Sequence, residues 1–307
     1  MKVLSGEAER QVAASTPVVR RVQGTRQRWS ARLHWYVAAT LCALVFLLPA
    51  AWALASSLKS PAEIVAYPPR ALPAIPQWQN YVEIWRTVPL AQFLWNSVRL
   101  TALSVLGQTL SAAAVAYGFA RFRFPGRDLL FLFLLSTLVL PQEVTMIPTF
   151  LMFNAIGWID SLKPLIVPNF FAGGPGGAFA VFLLRQFFLA IPRELDEAAT
   201  IDGANSWTIF WRLVVPLSKP ALTTVAVLSF LAHWNDFLGP LIYLNSTANY
   251  PLALGLRYFQ QVPLSENPPR EHLLMAAAIV MAAPCIALFF AAQRFFVQGI
   301  TMSGLKG

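Results

Sequence analysis

The chain has 307 residues, of which 57% are hydrophobic and only 12% are charged. This balance is too apolar for an ordinary soluble domain and predicts a protein that lies mostly in a membrane. The formal net charge is +9, but the placement of basic residues between apolar runs explains the excess, so no nucleic-acid partner is predicted. Cys42 and Cys285 both lie inside apolar runs, which argues against a disulfide framework or a metal site.

The first 34 residues differ from the rest of the chain. Residues 1–34 hold seven Lys or Arg, two Glu and few side chains that could form a core. We interpret them as a basic, mobile, cytoplasmic arm. Residues 35–307 are then a single membrane domain.

Six apolar runs are each near or above the ~20 residues that a helix needs to cross a bilayer. They cover residues 36–58, 96–120, 129–150, 164–189, 221–244 and 273–296. The sequence therefore predicts an all-α polytopic membrane protein with six transmembrane helices.

The basic residues orient these spans. With the N-terminus inside, 16 of the 23 Lys and Arg lie on the cytoplasmic side and seven on the outer side. Cytoplasmic loops carry such an excess of Lys and Arg. We therefore expect a multi-pass protein of the cell inner (plasma) membrane with both termini in the cytoplasm.

One alternative concerns the first span. The sequence Ala53-Leu54-Ala55 resembles a signal-peptidase site that follows a basic region and an apolar run. Run length favours a membrane span, because the apolar run is longer than that of a usual signal peptide.

The second span is rich in small residues. Membrane helices pack closely through such surfaces, so we expect it to face protein; the alternative is a lipid-facing run of alanines. The small residues are Ser104, Gly107, Ser111, Ala112, Ala113, Ala114, Ala116 and Gly118.

The segment 191–220 is unusually charged and has the pattern of two short helices joined by a turn. Pro192 suits the first position of a helix, and the acidic residues that follow suit its first turn. Gly203 is a natural stop, because it tolerates a left-handed conformation. Ser206 is the expected cap of the second helix, and Pro216 its expected end.

The spacing within this segment resembles a known signature. Glu197-Ala198-Ala199, three residues, Gly203, nine residues and then Leu213-Val214-Val215-Pro216 is similar to the EAA signature of the permeases of binding-protein-dependent ABC importers. That signature ends Ile-x-Leu-Pro, so this chain departs from it while keeping apolar character.

Four other stretches resemble the carbohydrate (maltose-type) branch of these permeases. They are residues 58–61, the pair Asn96-Ser97, residues 234–240 and the glycine-punctuated tail 299–307. The resemblance therefore extends over nearly the whole chain after residue 35.

The resemblance implies a cytoplasmic coupling-helix loop between the fourth and fifth spans, on which two ATP-binding cassette subunits dock. It also implies a second homologous permease subunit and an extracytoplasmic solute-binding protein. ATP and Mg would bind the ATPase subunits, and this chain would bind no cofactor. The implied docking residues are Glu194, Glu197, Ala198, Ala199, Asp202, Gly203 and Pro216.

Three spans break helical regularity, at residues 141–148, 173–177 and 235–240. Irregular backbone at membrane depth survives where it is buried in protein or lines water. We predict a path for a hydroxyl-rich solute here; the alternative is that these residues only trim the outer ends of helices. The predicted path residues are Gln142, Asn169, Gly174, Gly176, Trp234 and Asn235.

No catalytic or nucleotide-binding motif occurs in the chain. It lacks the Walker lysine loop and the Gly-x-Ser-x-Gly and His-Glu-x-x-His patterns, so no enzyme activity is predicted. The expected function is that of an importer permease for a sugar or sugar-like solute. The alternatives are another solute class in the same type of importer, or an ion-coupled secondary transporter. The acidic Glu143 and Asp236, however, lie towards the outer side rather than at the midplane.

Overall fold

A computed structural model describes residues 25–259 and 270–303, with side chains described for 33–259 and 270–293. All regular structure in these residues is helical, and no strand occurs among them. The predicted all-α class is therefore confirmed. Residues 1–24 of the predicted arm and residues 304–307 of the tail lie outside the described residues.

Nine helices of eight or more residues are found in the described part of the chain, and we number them in chain order. They are α1 (Thr25–Ser57), α2 (Asn80–Thr87), α3 (Leu90–Arg121), α4 (Arg127–Ser136), α5 (Gln142–Ala155), α6 (Gly177–Ala190), α7 (Glu194–Ile201), α8 (Lys219–Trp234) and α9 (Glu271–Ser303). Shorter turns connect them, among them the 3₁₀ turn Val167–Phe171.

Helix α1 starts inside the predicted arm, because residues 25–34 are already helical. Contacts within the chain divide it into residues 1–52 and residues 53–307. Every side chain from Leu33 to Trp52 is exposed within the chain. An apolar helix with this exposure is stable only when lipid or another protein surrounds it.

Within the described residues, three helices are long and apolar enough to cross a membrane, namely Leu33–Ser57, Leu90–Arg121 and Glu271–Gln293. A fourth crossing is possible through Ser206–Leu217 and Lys219–Trp234, which meet at an angle of 78°. The predicted spans 129–150, 164–189 and 221–244 are not continuous helices. They are interrupted before Pro141, along the glycine run 173–177 and at Asn235, where proline, glycine and short polar side chains disfavour helix.

Helix α3 lies at the centre of residues 53–307. Its small residues Ala112, Ala113 and Ala116 are fully buried and pack with Leu184 and Phe188 of α6. Small side chains let two backbones approach closely, which replaces the hydrophobic drive that is missing in lipid. The expectation that this surface faces protein is confirmed, except that Ala114 is exposed.

The same face of α3 supports the irregular backbone between α5 and α6. Ser104 Oγ donates to the carbonyl of Leu165 (3.3 Å), and Ser111 Oγ donates to the carbonyl of Asn169 (2.8 Å). The amide of Ala172 in turn donates to Ser111 Oγ (3.1 Å). Serine hydroxyls therefore provide partners for backbone groups that the broken helix leaves free.

The N-terminal end of α3 holds a distant loop. Asn96 Nδ2 donates to the carbonyls of Ala248 (2.8 Å) and Tyr250 (3.1 Å), and the amide of Leu252 donates to Ser97 Oγ (2.7 Å). Helix α3 itself begins at Leu90, six residues before the predicted start of this span. Asn96 and Ser97 are therefore buried positions inside a helix rather than its first residues.

Asp160 joins two loops at the same end of the molecule. Its carboxylate accepts from the amides of Asn245 (3.0 Å) and Ser246 (2.8 Å) and from the hydroxyl of Ser246. Its own amide donates to the carbonyl of Tyr243 (2.8 Å). The hydroxyl and amide of Ser246, with the other donors, lower the pKa of Asp160 to about 2, because these hydrogen bonds favour the charged form.

Candidate functional site

The first helix of the charged segment is α7, which begins at Glu194, two residues after Pro192. It ends in a left-handed turn, since Gly203 has a φ of +83°. The amides of Gly203 and Ala204 donate to the carbonyls of Thr200 (3.0 Å) and Ala199 (2.9 Å). The predicted role of Gly203 as the stop is therefore confirmed, because such a φ strains any residue with a β-carbon.

The second helix differs from the prediction at both ends. Asn205, rather than Ser206, is its cap, because Asn205 Oδ1 accepts from the amide of Thr208 (2.8 Å). Pro216 does not end the helix, which continues to Leu217. A π-helical turn at Phe210–Val214 precedes the proline. This wider turn accommodates a ring that lacks the donor a regular helix would use.

An ion pair ties α7 to the end of α3. Arg121 Nε lies 2.9 Å from Asp196 Oδ2, and the two side chains are only 5% and 19% exposed. Arg121 Nη2 also donates to the carbonyl of Ile191 (3.1 Å). Arg193 Nη2 donates to the carbonyl of Ala120 at 3.5 Å. Removal of one member of a buried pair leaves the other charge without compensation, so these contacts hold α7 firmly.

The second helix is tied to α3 mainly by packing. Ile209, Phe210 and Val214 are buried in the same cluster as Tyr117. The rings of Tyr117 and Phe210 lie 5.0 Å apart, and the Tyr117 hydroxyl donates to the carbonyl of Ser206 (3.2 Å). One face of the segment is therefore fixed to the core.

The opposite face of the segment is exposed and carries most of the predicted docking residues. Glu194, Glu197, Ala198, Asp202, Gly203 and Pro216 are exposed, and Ala199 is half-buried. This face also carries two large apolar side chains that were not predicted as docking residues, Ile201 (86% exposed) and Trp207 (67% exposed). Helical spacing places Ile201 in line with Glu194, Glu197 and Ala198, which is the signal that could have found it. We call Glu194 to Trp207 the coupling face.

The glycine run of the predicted solute path contacts buried Asn169 and helix α3, although Gly173, Pro175 and Gly176 are themselves exposed within the chain. Asn169 is fully buried and its Nδ2 donates to the carbonyl of Leu165 (2.8 Å). A β-carbon at Gly174 would collide with the Asn169 amide. Gly176 has a φ of +77°, and Gln108 Nε2 of α3 donates to the carbonyl of Pro175 (2.9 Å). These residues shape the turn between the two halves of the fourth predicted span.

Gln108 is a third residue that the sequence did not predict as part of a site. Its Oε1 accepts from the hydroxyl of Ser229 and lies 3.4 Å from His233 Nε2. All three side chains are at least 96% buried. Gln108 therefore links α3 to both the glycine run and α8, and its signal is an amide side chain among the small residues of 104–118.

The other predicted path residues lie in different surroundings. Trp234 is 3% exposed, its Nε1 donates to the carbonyl of Met281 (2.9 Å), and its ring stacks on Phe230. Asn235 and Gln142 are exposed. The structure thus brings Asn169 together with the glycine run on α3, packs Trp234 against α9 and leaves two amides on the surface of the chain.

We expect Asp196→Ala to loosen the coupling face. The change leaves the Arg121 guanidinium buried without its counter-charge, which costs about 3 kcal/mol. Hydrogen exchange of the amides in Glu194–Ile201 should become faster. Glu194→Ala, in the same helical turn but exposed, is the matched control and should leave exchange unchanged. Equal protection in the two variants would contradict a holding role for the ion pair.

Comparison with known proteins identifies the family. Residues 108–302, which include the coupling face, match the family described as binding-protein-dependent transport system inner membrane component. The sn-glycerol-3-phosphate transport system permease protein UgpE of Yersinia enterocolitica is 32% identical over 266 residues, 85% of this chain and 92% of that protein. The arabinooligosaccharides transport system permease protein AraQ of Bacillus subtilis is 31% identical, over 87% of this chain and 93% of its own.

The fold has a counterpart among solved structures. A chain of a bacterial ABC transporter involved in the import of the acidic polysaccharide alginate aligns with a TM-score of 0.76 at 24% identity, over 92% of this chain and all of that one. The family match and the identity to relatives over most of their length lead to one conclusion. The chain belongs to the inner membrane components of binding-protein-dependent transport systems.

Proposed function

We propose that this chain is the permease subunit of an ABC importer that moves a sugar or sugar-like solute into the cytoplasm. The observation that carries the proposal is the coupling face, an exposed acidic and apolar surface held on the central helix by buried contacts. The relatives above are named for the transport of sn-glycerol-3-phosphate and of arabinooligosaccharides. Both solutes carry several hydroxyl groups. These names support a sugar-like solute. The phosphate ester of sn-glycerol-3-phosphate supports the alternative, another solute class.

The energy source in this proposal is a pair of separate ATPase subunits. Each permease would present one coupling face to one ATPase, with Ile201 and Trp207 as apolar anchors surrounded by Glu194, Glu197 and Asp202. Large exposed apolar side chains with polar surroundings are typical of protein interaction sites. ATP and Mg would stay on the ATPases, and this chain would bind no cofactor.

The contacts behind the coupling face define how motion would reach the membrane. Closure of the ATPases on ATP would move the segment 193–214 as a lever. Arg121 and Tyr117 would transmit the movement to α3. The helical segment Ser206–Leu217 continues into α8 with a bend of 78°, so the chain itself would carry the movement to α8. The cavity between the permeases would then change from inward-facing to outward-facing.

The remaining partners in this proposal are a second homologous permease and an extracytoplasmic solute-binding protein, all in a lipid bilayer. The family description, which names dependence on a binding protein, supports the latter. Six crossings, with both termini in the cytoplasm, are proposed on the distribution of Lys and Arg. This places the coupling face inside and the Asp160 loops outside.

The solute path is proposed to involve two kinds of residue. Gln142 and Asn235 are exposed neutral amides, which can exchange hydrogen bonds with hydroxyl groups. Asn169, Gly174, Gly176 and Trp234 would shape the broken spans from within, because their contacts are to other parts of the chain.

Docking is tested with two glycines that share a backbone conformation. Gly203 and Gly157 have φ of +83° and +69°, and neither has an atom within 4 Å of an added β-carbon. Valine at either position adds a similar strain of about 1–2 kcal/mol. We expect only Gly203→Val to reduce co-purification of the ATPase and solute-stimulated ATP hydrolysis.

The charge reversal Glu197→Lys should weaken ATPase binding on the order of tenfold, while Glu197→Gln should have a smaller effect. Membrane insertion should be normal in every variant. Wild-type ATPase binding and hydrolysis in both Gly203→Val and Glu197→Lys would contradict the proposed docking surface.

Topology is tested with single cysteines in a background that lacks Cys42 and Cys285. Ser206→Cys and Ala71→Cys both place a thiol at an exposed position. An impermeant thiol reagent added outside intact cells should label residue 71 and leave residue 206 unlabelled until the cells are opened. The opposite pattern would reverse the orientation, and a mature chain that begins near Ser56 would support signal cleavage instead.

We test the solute path with substitutions of the exposed amides Asn235 and Gln142, because substitutions at Gly174 or Asn169 would also disturb packing. Asn235→Ala and Gln142→Ala should each lower solute uptake about two- to tenfold, the range expected for one lost hydrogen bond. Asn154→Ala is the matched control, since Asn154 is an exposed amide at the far end of α5. Assembly and basal ATP hydrolysis should not change. Unaltered uptake and solute preference in both variants would place the path elsewhere.

A further inference from the structure

We propose that the turn between α3 and α4 binds the phosphate group of an anionic phospholipid. An open cavity of about 330 Å³ lies beside this turn and is lined by Arg123, Phe124, Gly126, Arg127, Asp128 and Leu129. Neither the coupling face nor the proposed solute path includes these residues. The cavity therefore needs an explanation of its own.

The charges around the cavity favour an anion. Arg127 Nη2 lies 2.9 Å from Asp128 Oδ1, so this arginine already has one acidic partner. Arg123 is exposed, and no ion pair to it occurs among the described residues. Arg185 of α6 interacts electrostatically with both Arg127 and Asp128. Two guanidinium groups, those of Arg127 and Arg185, thus share one carboxylate, while Arg123 lines the same cavity without an acidic partner among the described residues. Planar guanidinium groups match the geometry of phosphate oxygens.

Arg185 is also fixed in position, so its positive charge cannot move away from that of Arg127. Its Nε donates to the carbonyl of Phe119 (3.4 Å), and its guanidinium carbon lies 4.0 Å from the centre of the Phe131 ring. The guanidinium therefore cannot turn freely towards solvent. A bound anion would offset the repulsion between Arg185 and Arg127.

The surface next to the cavity favours a lipid over a soluble anion. Helix α4 follows the cavity directly and exposes Leu129, Leu132 and Phe133 to between 58% and 61%. A basic pocket that continues into an exposed apolar helix matches a phospholipid, whose charged head continues into acyl chains. Basic pockets of this kind at the cytoplasmic ends of transmembrane helices bind anionic lipid head groups.

The leaflet follows from the proposed topology, on which this part of the inference rests. In that orientation, the turn from Arg121 to Arg127 faces the cytoplasm. Lipid of the inner leaflet would then contact Arg123 and Arg127 with its phosphate and α4 with its acyl chains.

The test uses the assembled transporter in nanodiscs of equal parts dioleoylphosphatidylglycerol and dioleoylphosphatidylcholine. After extraction in mild detergent, native mass spectrometry counts the lipids that each complex retains. The wild-type complex should retain phosphatidylglycerol in preference to phosphatidylcholine. Arg123→Gln, a change at an exposed residue, should lower this retention about fivefold, and the double variant with Arg127→Gln should lower it further.

Arg99→Gln is the matched control, because Arg99 is an exposed arginine on the same helix α3 but near its opposite end. It should retain phosphatidylglycerol as the wild type does. Three outcomes would overturn the inference: equal retention of the two lipids by the wild type, an equal loss in Arg99→Gln, or loss of a protein subunit from the Arg123→Gln complex.

Inorganic phosphate provides the remaining arm of the test. Displacement of the retained lipid by millimolar phosphate would show a site for soluble anions and would overturn the lipid assignment. Solute-stimulated ATP hydrolysis, measured on the same preparations, tests the proposed function separately, because lipid retention does not depend on it.

Discussion

The hydrogen bonds between α3 and the irregular segment 165–177 are the constraint on which the rest of this structure depends. Residues 165–177 cannot form one helix, since they contain Pro168 and a run of glycines. Their free backbone groups would be very unfavourable at membrane depth. Ser104, Gln108 and Ser111 supply partners for them from one face of α3. The small residues beside these side chains let the two segments approach closely enough for the bonds to form.

The two ends of α3 extend this role across the membrane domain. At one end, Arg121 and Tyr117 hold the two helices of the coupling face. At the other end, Asn96 and Ser97 hold the loop that follows residue 244. A single helix of 32 residues therefore connects the surface proposed for ATPase docking with the opposite side. Such a helix transmits displacement along its length because each turn is hydrogen-bonded to the next.

Polar side chains in this chain act mainly as internal connectors. Gln108 joins three segments, namely α3, the glycine run and α8. Trp234 was predicted to stack on a sugar, but its indole nitrogen donates to the backbone of α9. Burial of such groups is favourable only when each finds a partner. Resemblance to a family motif thus does not tell whether a polar side chain faces solute or protein, since both roles need the same residue types.

The sequence by itself determined the features that depend on local chemistry and composition: the all-helical class, the small-residue packing face, the two short helices of residues 191–220 and the left-handed turn at Gly203. Each follows from residue type and short spacing. Only the tertiary structure decided that Gln108 links α3 to α8 and that Asn169 is buried. Those outcomes depend on which distant segment packs nearby. In a membrane protein, apolar residues are spread nearly evenly around each helix, so the sequence does not show which side of a helix faces another segment.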